Sequence, residues 1–557
     1  MIAASFAEVI SIGAVVPFLA VLTDPQRVFF HPSADPIIRI LNLTDPSELV
    51  FPIVIAFGCA ALVAGSIRWL LLKYGTKLAF SIGADLSVSM YRRTLYQPYS
   101  VHVARNSSGI INGITNKSTI VIFGIVMPLI TLISSVMIFS AVVGTLMIVD
   151  PIIALVCIGS FGFIYSLIMI RSKNRLRFAG QEIAEHSTQV IKSMQEGLGG
   201  IRDILIDGSQ EAYVKVYRDA DLALRRSQRA NQVLREAPRY LVESLGTIFI
   251  ALTAYFIFST ADDFSNSVAI LGILALGCQR MLPVIQQGYS AWGSLKTSHA
   301  SLQDVIELLD QPLPDHLNVP QDNGMIFKEN ISLRNVSFRY APDLPWVLQG
   351  LNIHINKGSR VGILGETGSG KSSVLDILMG LLPPTKGVME VDGVDVNNSN
   401  VLAWQKNIGH VPQNIFLSDA TILENIAFGV PFNMIDHERA EMAAERAQIA
   451  STIDALDMKY NACVGERGVK LSGGQRQRLG IARALYKQAD FIIFDEATSA
   501  LDNQTEAAVI SAIEGLGSDL TIIMVAHRLS TLKGCDQVFE LKNGKMNIFR
   551  MLDTDGK

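Results

Sequence analysis

The 557 residues carry 47 Lys and Arg against 51 Asp and Glu, a formal net charge of −4, and 49% of them are apolar. A mean hydropathy of +0.33 is high for a soluble protein, and the length exceeds what one compact core accommodates, so at least two domains are expected. The charge balance gives no support for a nucleic-acid partner, which would favour a basic excess. The five cysteines (Cys59, Cys157, Cys278, Cys463, Cys535) form no C-x-x-C spacing, and they read as small hydrophobes outside any disulfide framework or metal site.

From Met1 to Thr23 the chain is apolar, with no basic n-region and no small-residue cleavage site. That pattern predicts a first membrane helix rather than a signal peptide. Further apolar runs cover 51–74, 120–148, 151–171, 241–260 and 266–288, each close to the ~20 residues of a bilayer-spanning helix. The plainer alternative is a set of buried helices in a large soluble protein. The segments 75–118 and 171–239 hold Lys77, Arg92, Arg93, Arg105, Lys117, Arg171, Lys173, Arg175, Arg177, Arg225, Arg226 and Arg229, whereas the short connections "MIVDP" and "STADDFSN" are acidic. The positive-inside rule therefore places the two basic segments in the cytoplasm and the loop 24–50 outside, with a short amphipathic helix expected around Asp35–Asn42.

After Asp310 the texture changes. The stretch "QPLPDHLNVPQDNG" is a Pro-, Asp- and Asn-rich linker. The predicted division is a six-helix transmembrane domain over 1–310, a linker over 311–326 and an α/β P-loop nucleotide-binding domain over 327–557.

The strongest motif is Gly365-Glu366-Thr367-Gly368-Ser369-Gly370-Lys371-Ser372-Ser373, between the apolar strand "RVGIL" and the helix "SSVLDILMGLL". Glycines there let backbone N–H groups turn onto phosphate oxygens at a helix N-terminus. Lys371 adds positive charge at the β- and γ-phosphates, and the Ser372 hydroxyl can ligate Mg²⁺. Downstream, "FIIFDEATSALD" ends an apolar strand on Asp495, which can hold Mg²⁺ through water, and Glu496, which can polarise the attacking water. A strand that simply ends in solvated acids is the alternative for this segment taken alone.

The segment Leu471-Ser472-Gly473-Gly474-Gln475, with these two motifs, resembles the signature of the ATP-binding cassette (ABC) superfamily over about 327–550. Tyr340 in "VSFRY" matches the aromatic that stacks on adenine. Gln413 in "HVPQN" matches the Q-loop, "VGERG" at 464–468 the stretch before the signature, "SALD" at 499–502 the D-loop, and His527 in "VAHRLS" the switch histidine. The resemblance implies ATP and Mg²⁺ as ligands, with Ser372, Gln413 and Asp495 at the metal and Glu496, Gln413 and His527 in hydrolysis. It also implies head-to-tail pairing of two cassettes, so that Ser472, Gly473, Gly474 and Gln475 serve the partner chain's nucleotide. One cassette and one six-helix unit make a half-transporter, and the intact Glu496 and signature favour a homodimer over a heterodimer.

The membrane half resembles ABC exporters, with coupling elements expected in 96–112 and 195–210. Within exporters it is most similar to flippases of lipid-linked oligosaccharides from bacterial N-glycosylation, through "VVPFLAVLTDP", Arg68, "PRYLVESLG" and "CQRMLP". Exporters of this type begin with a cytosolic elbow, whereas this sequence starts at Met1 within the apolar run. By helix rise Arg68 lies roughly 26 Å and Arg280 roughly 20 Å from the outer ends of their helices. Arg239 follows Pro238 where the fifth helix enters the membrane, so all three fall near inner-leaflet depth. They either snorkel or pair with Glu8 or Glu243, or they line a cavity and bind an anionic head group such as a lipid pyrophosphate.

The expected function is thus an ATP-driven homodimeric exporter or flippase of an anionic lipid-linked oligosaccharide or similar glycolipid in the bacterial inner membrane. Export of another lipid, a peptide or a drug is the nearest alternative, and an ATP-gated channel a more distant one.

Overall fold

The computed structural model describes residues 2–14, 17–18, 21–22, 25–30, 38–39, 43–149, 151–260, 264–313, 325–496, 503–515, 517, 520–526 and 528–549. The expected amphipathic helix around Asp35–Asn42 falls almost entirely outside them. So do the 499–502 stretch and His527, along with the side chains of Glu8 and Arg280. The chain forms two units: Met1–Gln97 with Arg105–Leu313, and Pro98–Ala104 with Pro314–Lys557.

The first unit is helical. Its first apolar run forms the 12-residue helix Ile2–Gly13, and later runs become parts of long helices: Val50–Leu95, Pro151–Gly199, Gln210–Thr260 and Phe264–Thr297. A further helical stretch from Ser107 to Val149 contains two π-turns, Gly113–Lys117 and Ile122–Val126. Among the described residues, Pro46–Leu95 and Ser107–Gly144 are long and apolar enough to cross a membrane. Large apolar side chains on these helices point outward; Leu62, Trp69 and Leu72 are each more than half exposed. Hydrocarbon chains, not other side chains, suit such faces, because lipid offers no hydrophobic penalty for leaving them uncovered.

Glycine sets the helix crossings. A Cβ on Gly180 would stand 2.0 Å from the Thr297 carbonyl oxygen, and one on Gly124 1.9 Å from Ser298 Oγ. Both approaches fall where the Phe264–Thr297 helix ends and His299–Leu309 begins. The nearly buried Lys117 ion-pairs there with Asp304. Arg93 donates to the Gln311 carbonyl at 2.7 Å and Gln97 to the Pro312 carbonyl at 3.0 Å, fixing the exit of this unit.

The second unit is α/β. A six-stranded sheet runs in the order β10-β9-β3-β8-β7-β6, with β3 at Arg360–Gly365, β6 at Ile408–Val411, β7 at Phe491–Asp495, β8 at Thr521–Ala526, β9 at Gln537–Lys542 and β10 at Lys545–Phe549. All neighbours in it are parallel except β9 and β10. An antiparallel sheet is built from β1 (Asn330–Phe338), β2 (Leu348–Asn356), β4 (Lys386–Val391) and β5 (Val394–Asp395), in the order β2-β1-β4-β5.

Successive strand residues serve opposite faces. Phe491 and Ile493 of β7 enter a core shared with β1, β2 and the Lys371–Leu378 helix. Ile492 and Phe494 enter a second core against the Gly473–Tyr486 helix. Burial on both faces is why β7 and β8 read as unbroken apolar runs.

Candidate active site

Parallel strands bring their C-terminal ends to one edge of a sheet, and ligands of open α/β sheets bind there. The last rungs pair Leu364 of β3 with Ala526 of β8, Val525 of β8 with Asp495 of β7, and Phe494 of β7 with Val411 of β6. The loop after β3, Gln413 after β6 and Glu496 after β7 therefore leave the sheet at the same edge, although they are far apart in sequence.

The loop 365–371 folds back on the end of β3. Gly370 takes φ +104° at the N-cap of the Lys371–Leu378 helix, and a Cβ there would also stand 2.8 Å from Leu348 Cδ2. Only glycine meets both conditions. Lys371 is 6% exposed, and its Nζ donates to the carbonyls of Gly365 at 2.8 Å and Glu366 at 3.2 Å. The Glu496 carboxylate lies 3.7 Å from the same ammonium and accepts a 2.9 Å hydrogen bond from Gln413 Nε2.

Glu496 itself has φ +47°, a conformation disfavoured for a residue with a side chain. Its N–H donates to the Val525 carbonyl, which holds the backbone there. Asp495 is half-buried, and its carboxyl is pushed above the usual range, first by burial and then by the charge of Glu496, with Lys371 acting in the opposite direction.

Around this centre, Ser372 is exposed on the first turn of the helix, while Ser373 is buried and its hydroxyl meets the Tyr340 hydroxyl at 3.0 Å. That bond, with the edge-on contact of Phe338, sets the half-exposed Tyr340 ring beside the loop. Ser369 Oγ is shielded from water and makes no hydrogen bond within the protein. A cradle with an ammonium, a helix N-terminus and an unused hydroxyl fits a polyphosphate, and the Tyr340 face fits a base. Ser372, Gln413 and Asp495 offer hard oxygen donors of the kind Mg²⁺ takes. Among the described residues no group of three His, Cys, Asp or Glu forms a metal cage, and Mg²⁺ rarely needs one when phosphates supply the remaining ligands.

Ser472 caps the Gly473–Tyr486 helix through a reciprocal pair: its Oγ accepts from Gln475 N–H at 3.3 Å, and its own N–H donates to Gln475 Oε1 at 2.8 Å. Ser472 and Gly473 remain exposed at this helix start, with Gly474 buried beneath.

Three residues not assigned to the site by the sequence belong to its surroundings, Tyr99 among them from the expected coupling stretch 96–112. Gln477 donates to the Gln413 carbonyl at 3.1 Å and so holds the Q-loop. Asp376, an acid among the apolar residues that follow Ser373 in its helix, has its carboxyl raised to about 6 by burial and then by Asp495. Tyr99, from the Pro98–Ala104 segment that groups with this unit, has its phenol raised by burial and by the nearby Asp376 and Tyr340. An acid interrupting the run "SSVLDILMGLL" is the signal that singles out Asp376 in the sequence.

The arginines of the helical unit are arranged differently. Arg68 is exposed on the Val50–Leu95 helix. Arg239 Nε donates to Glu243 Oε1 at 2.7 Å, which is the pairing given above as the alternative to a ligand role. The Arg280 side chain, like Glu8 and His527, lies outside the described residues.

The ABC transporter transmembrane-region family matches residues 3–277, and the ABC transporter family of ATP-binding domains matches residues 348–499. The chain belongs to the ABC transporters. An ATP-dependent lipid A-core flippase of Albidiferax ferrireducens is 28% identical over 472 residues, 85% of this chain and 81% of that protein. The protein of the same description from Ralstonia nicotianae is 27% identical over 490 residues, 85% of this chain and 80% of its own length. A solved bacterial Atm1-family ABC exporter with ATP bound superposes with a TM-score of 0.77 at 23% identity, covering 96% of this chain and 93% of that one. This ABC transporter therefore has the exporter-type transmembrane fold followed by a nucleotide-binding domain, and it is an ATPase that couples hydrolysis to transport.

Proposed function

We propose that the protein is a homodimeric flippase of the bacterial inner membrane that moves an anionic lipid-linked oligosaccharide or a related glycolipid. The single observation that carries the ATPase half is the convergence of Lys371, Gln413 and Glu496 on one edge of the sheet. The lipid half is supported by the outward apolar faces of the helical unit and by the two relatives described as lipid A-core flippases.

In this reading Lys371 transfers its contacts from the loop carbonyls to phosphate oxygens. Tyr340 stacks on the base, and Ser472, Gly473, Gly474 and Gln475, of which Ser472 and Gly473 are exposed, serve the nucleotide of a second copy. Ser372, Gln413 and Asp495 would hold Mg²⁺, which when bound would neutralise phosphate charge. Glu496, already bonded to Gln413, positions and polarises the attacking water. His527 follows Ala526, the last residue of β8, in the sequence and is assigned to the γ-phosphate by its motif.

The test uses the full chain in proteoliposomes. ATP-dependent movement of a pyrophosphate-linked glycolipid is measured for the unaltered protein and for Arg68, Arg239 and Arg280 each changed to Ala and to Lys. Flipping that requires ATP and falls in the Ala variants supports the reading. Flipping that is unchanged in all six variants removes the three arginines from it, and no flipping by the unaltered protein removes the cargo.

A further inference from the structure

Arg235 stands four residues before Arg239 on the Gln210–Thr260 helix, one turn nearer its N-terminus. By helix rise that is about 6 Å towards the side assigned to the cytoplasm, the level of lipid head groups rather than of hydrocarbon. The residue is only partly exposed, and its position is built by the Phe264–Thr297 helix. Nη2 donates to Ser290 Oγ at 3.2 Å. The Arg235 carbonyl accepts from Gln286 Nε2 at 3.4 Å, and the Leu234 carbonyl accepts from the Tyr289 hydroxyl at 3.0 Å. A Cβ on Gly293 would stand 3.1 Å from Arg235 Cγ, so the glycine makes room for the arginine stem.

What this built position lacks is a direct ion pair: the adjacent Glu236 attracts the guanidinium only from a distance. Nε is shielded from water and makes no hydrogen bond within the protein. Among the described residues no carboxylate lies within ion-pairing distance of the guanidinium. Glu243 is engaged by Arg239, and the neighbouring Glu236 accepts from Gln232. A shielded cationic donor without an acceptor is costly, and a planar fork of this kind matches a phosphate through paired, charge-assisted bonds.

We propose that Arg235, seated against Gly293 and oriented by Ser290, is an anion-recognition residue of the helical unit and receives a phosphate of the transported lipid. The inference rests on the exporter reading and names a residue within it that the sequence motifs did not single out.

The experiment places the full chain in phosphatidylcholine nanodiscs containing either phosphatidic acid or diacylglycerol with the same acyl chains. Retained lipid is counted by native mass spectrometry. The unaltered protein should retain phosphatidic acid in preference to diacylglycerol. Arg235→Gln, which keeps a donor for Ser290 and removes the charge, should raise the half-saturating fraction about tenfold or more, and Arg235→Lys should raise it less. Arg225→Gln, an exposed change on the same helix, should leave it unaltered. Equal retention by the Gln variant overturns the proposal and makes Arg235 a brace between two helices. If the Gln variant does not accumulate, Ser290→Ala reads the same site: several-fold weaker retention supports the proposal, and unchanged retention overturns it. Free inorganic phosphate that competes for the site, with the same sensitivity to Arg235→Gln, keeps the anion site and assigns it a water-soluble phosphate. A protein that flips lipid with ATP but ignores phosphatidic acid refutes the role of Arg235 alone. One that binds phosphatidic acid through Arg235 but moves no lipid refutes the flippase reading alone.

Discussion

The two units solve opposite solvation problems with the same amino acids. In the α/β unit, Phe491, Ile493, Ile523 and Trp404 turn inward and the charged groups gather at the open edge of the sheet. In the helical unit, Leu62, Trp69 and Leu72 turn outward, and buried clusters are small, such as Phe161, Tyr165, Val242 and Tyr289. The difference decides how charge is placed. A parallel sheet delivers Lys371, Gln413 and Glu496 to one point by backbone geometry alone. The helical unit has no such edge, so its charges are seated one by one: Arg235 by Ser290 and Gly293 and Lys117 by Asp304 of other helices, Arg239 by Glu243 of its own.

The largest effect should come from breaking the convergence itself. Glu496→Gln is expected to lower steady-state phosphate release by about 100-fold or more, while equilibrium binding of ATP persists. Hydrolysis near the unaltered rate would mean that the sheet edge is not where the reaction is driven.

The seating of helices is tested next. Gly180→Ala puts a methyl group against the Thr297 backbone and should cost about 1–3 kcal/mol, seen as a lower unfolding midpoint in detergent. Gly144→Ala, with open space around its Cβ position, should change little. Equal behaviour of the two would show that close glycine crossings do not set this unit's stability.

A smaller loss is expected from Ser472→Ala, which removes one half of a reciprocal cap. Such changes cost about 1 kcal/mol, and ATP hydrolysis should fall further than that local loss explains if the same serine serves a second copy's nucleotide. Hydrolysis that tracks stability alone would confine Ser472 to capping.

The effect confined to one pH range concerns Asp376. Its carboxyl is raised from 3.8 to about 6 in the folded chain. The folded state therefore keeps a proton that the unfolded state releases across that interval. The group's contribution to stability is fully present below the unfolded value and is lost as pH rises through about 6. Asp376→Asn should raise the unfolding midpoint at neutral pH by a few degrees and give no gain at a pH below 3.8. A gain of equal size at both pH values would point to packing rather than titration.

The legible part of this protein was its punctuation. The glycines of 365–370 must sit where a strand becomes a helix, and the "LSGGQ" serine must start one, because both demands are local. The long helices also follow locally, from apolar runs that continue into charged ones. The two π-turns at Gly113–Lys117 and Ile122–Val126 carry no such local signal. Nor did the sequence single out Arg235, which lies four residues before the named Arg239 in the same stretch around Pro238.

By itself, the sequence determined the family, the phosphate loop and the residue types able to handle a nucleotide, because motif spacing and hydrophobic period are properties of neighbours along the chain. Tertiary structure decided which charges have partners. Gln413 reaches Glu496 across 83 residues because β6 and β7 are adjacent and parallel. Arg239 is spent on Glu243, and Arg235 keeps unpaired donor capacity because a glycine on another helix lets its side chain in. An electrostatic balance is a sum over space, and only the folded chain carries it out.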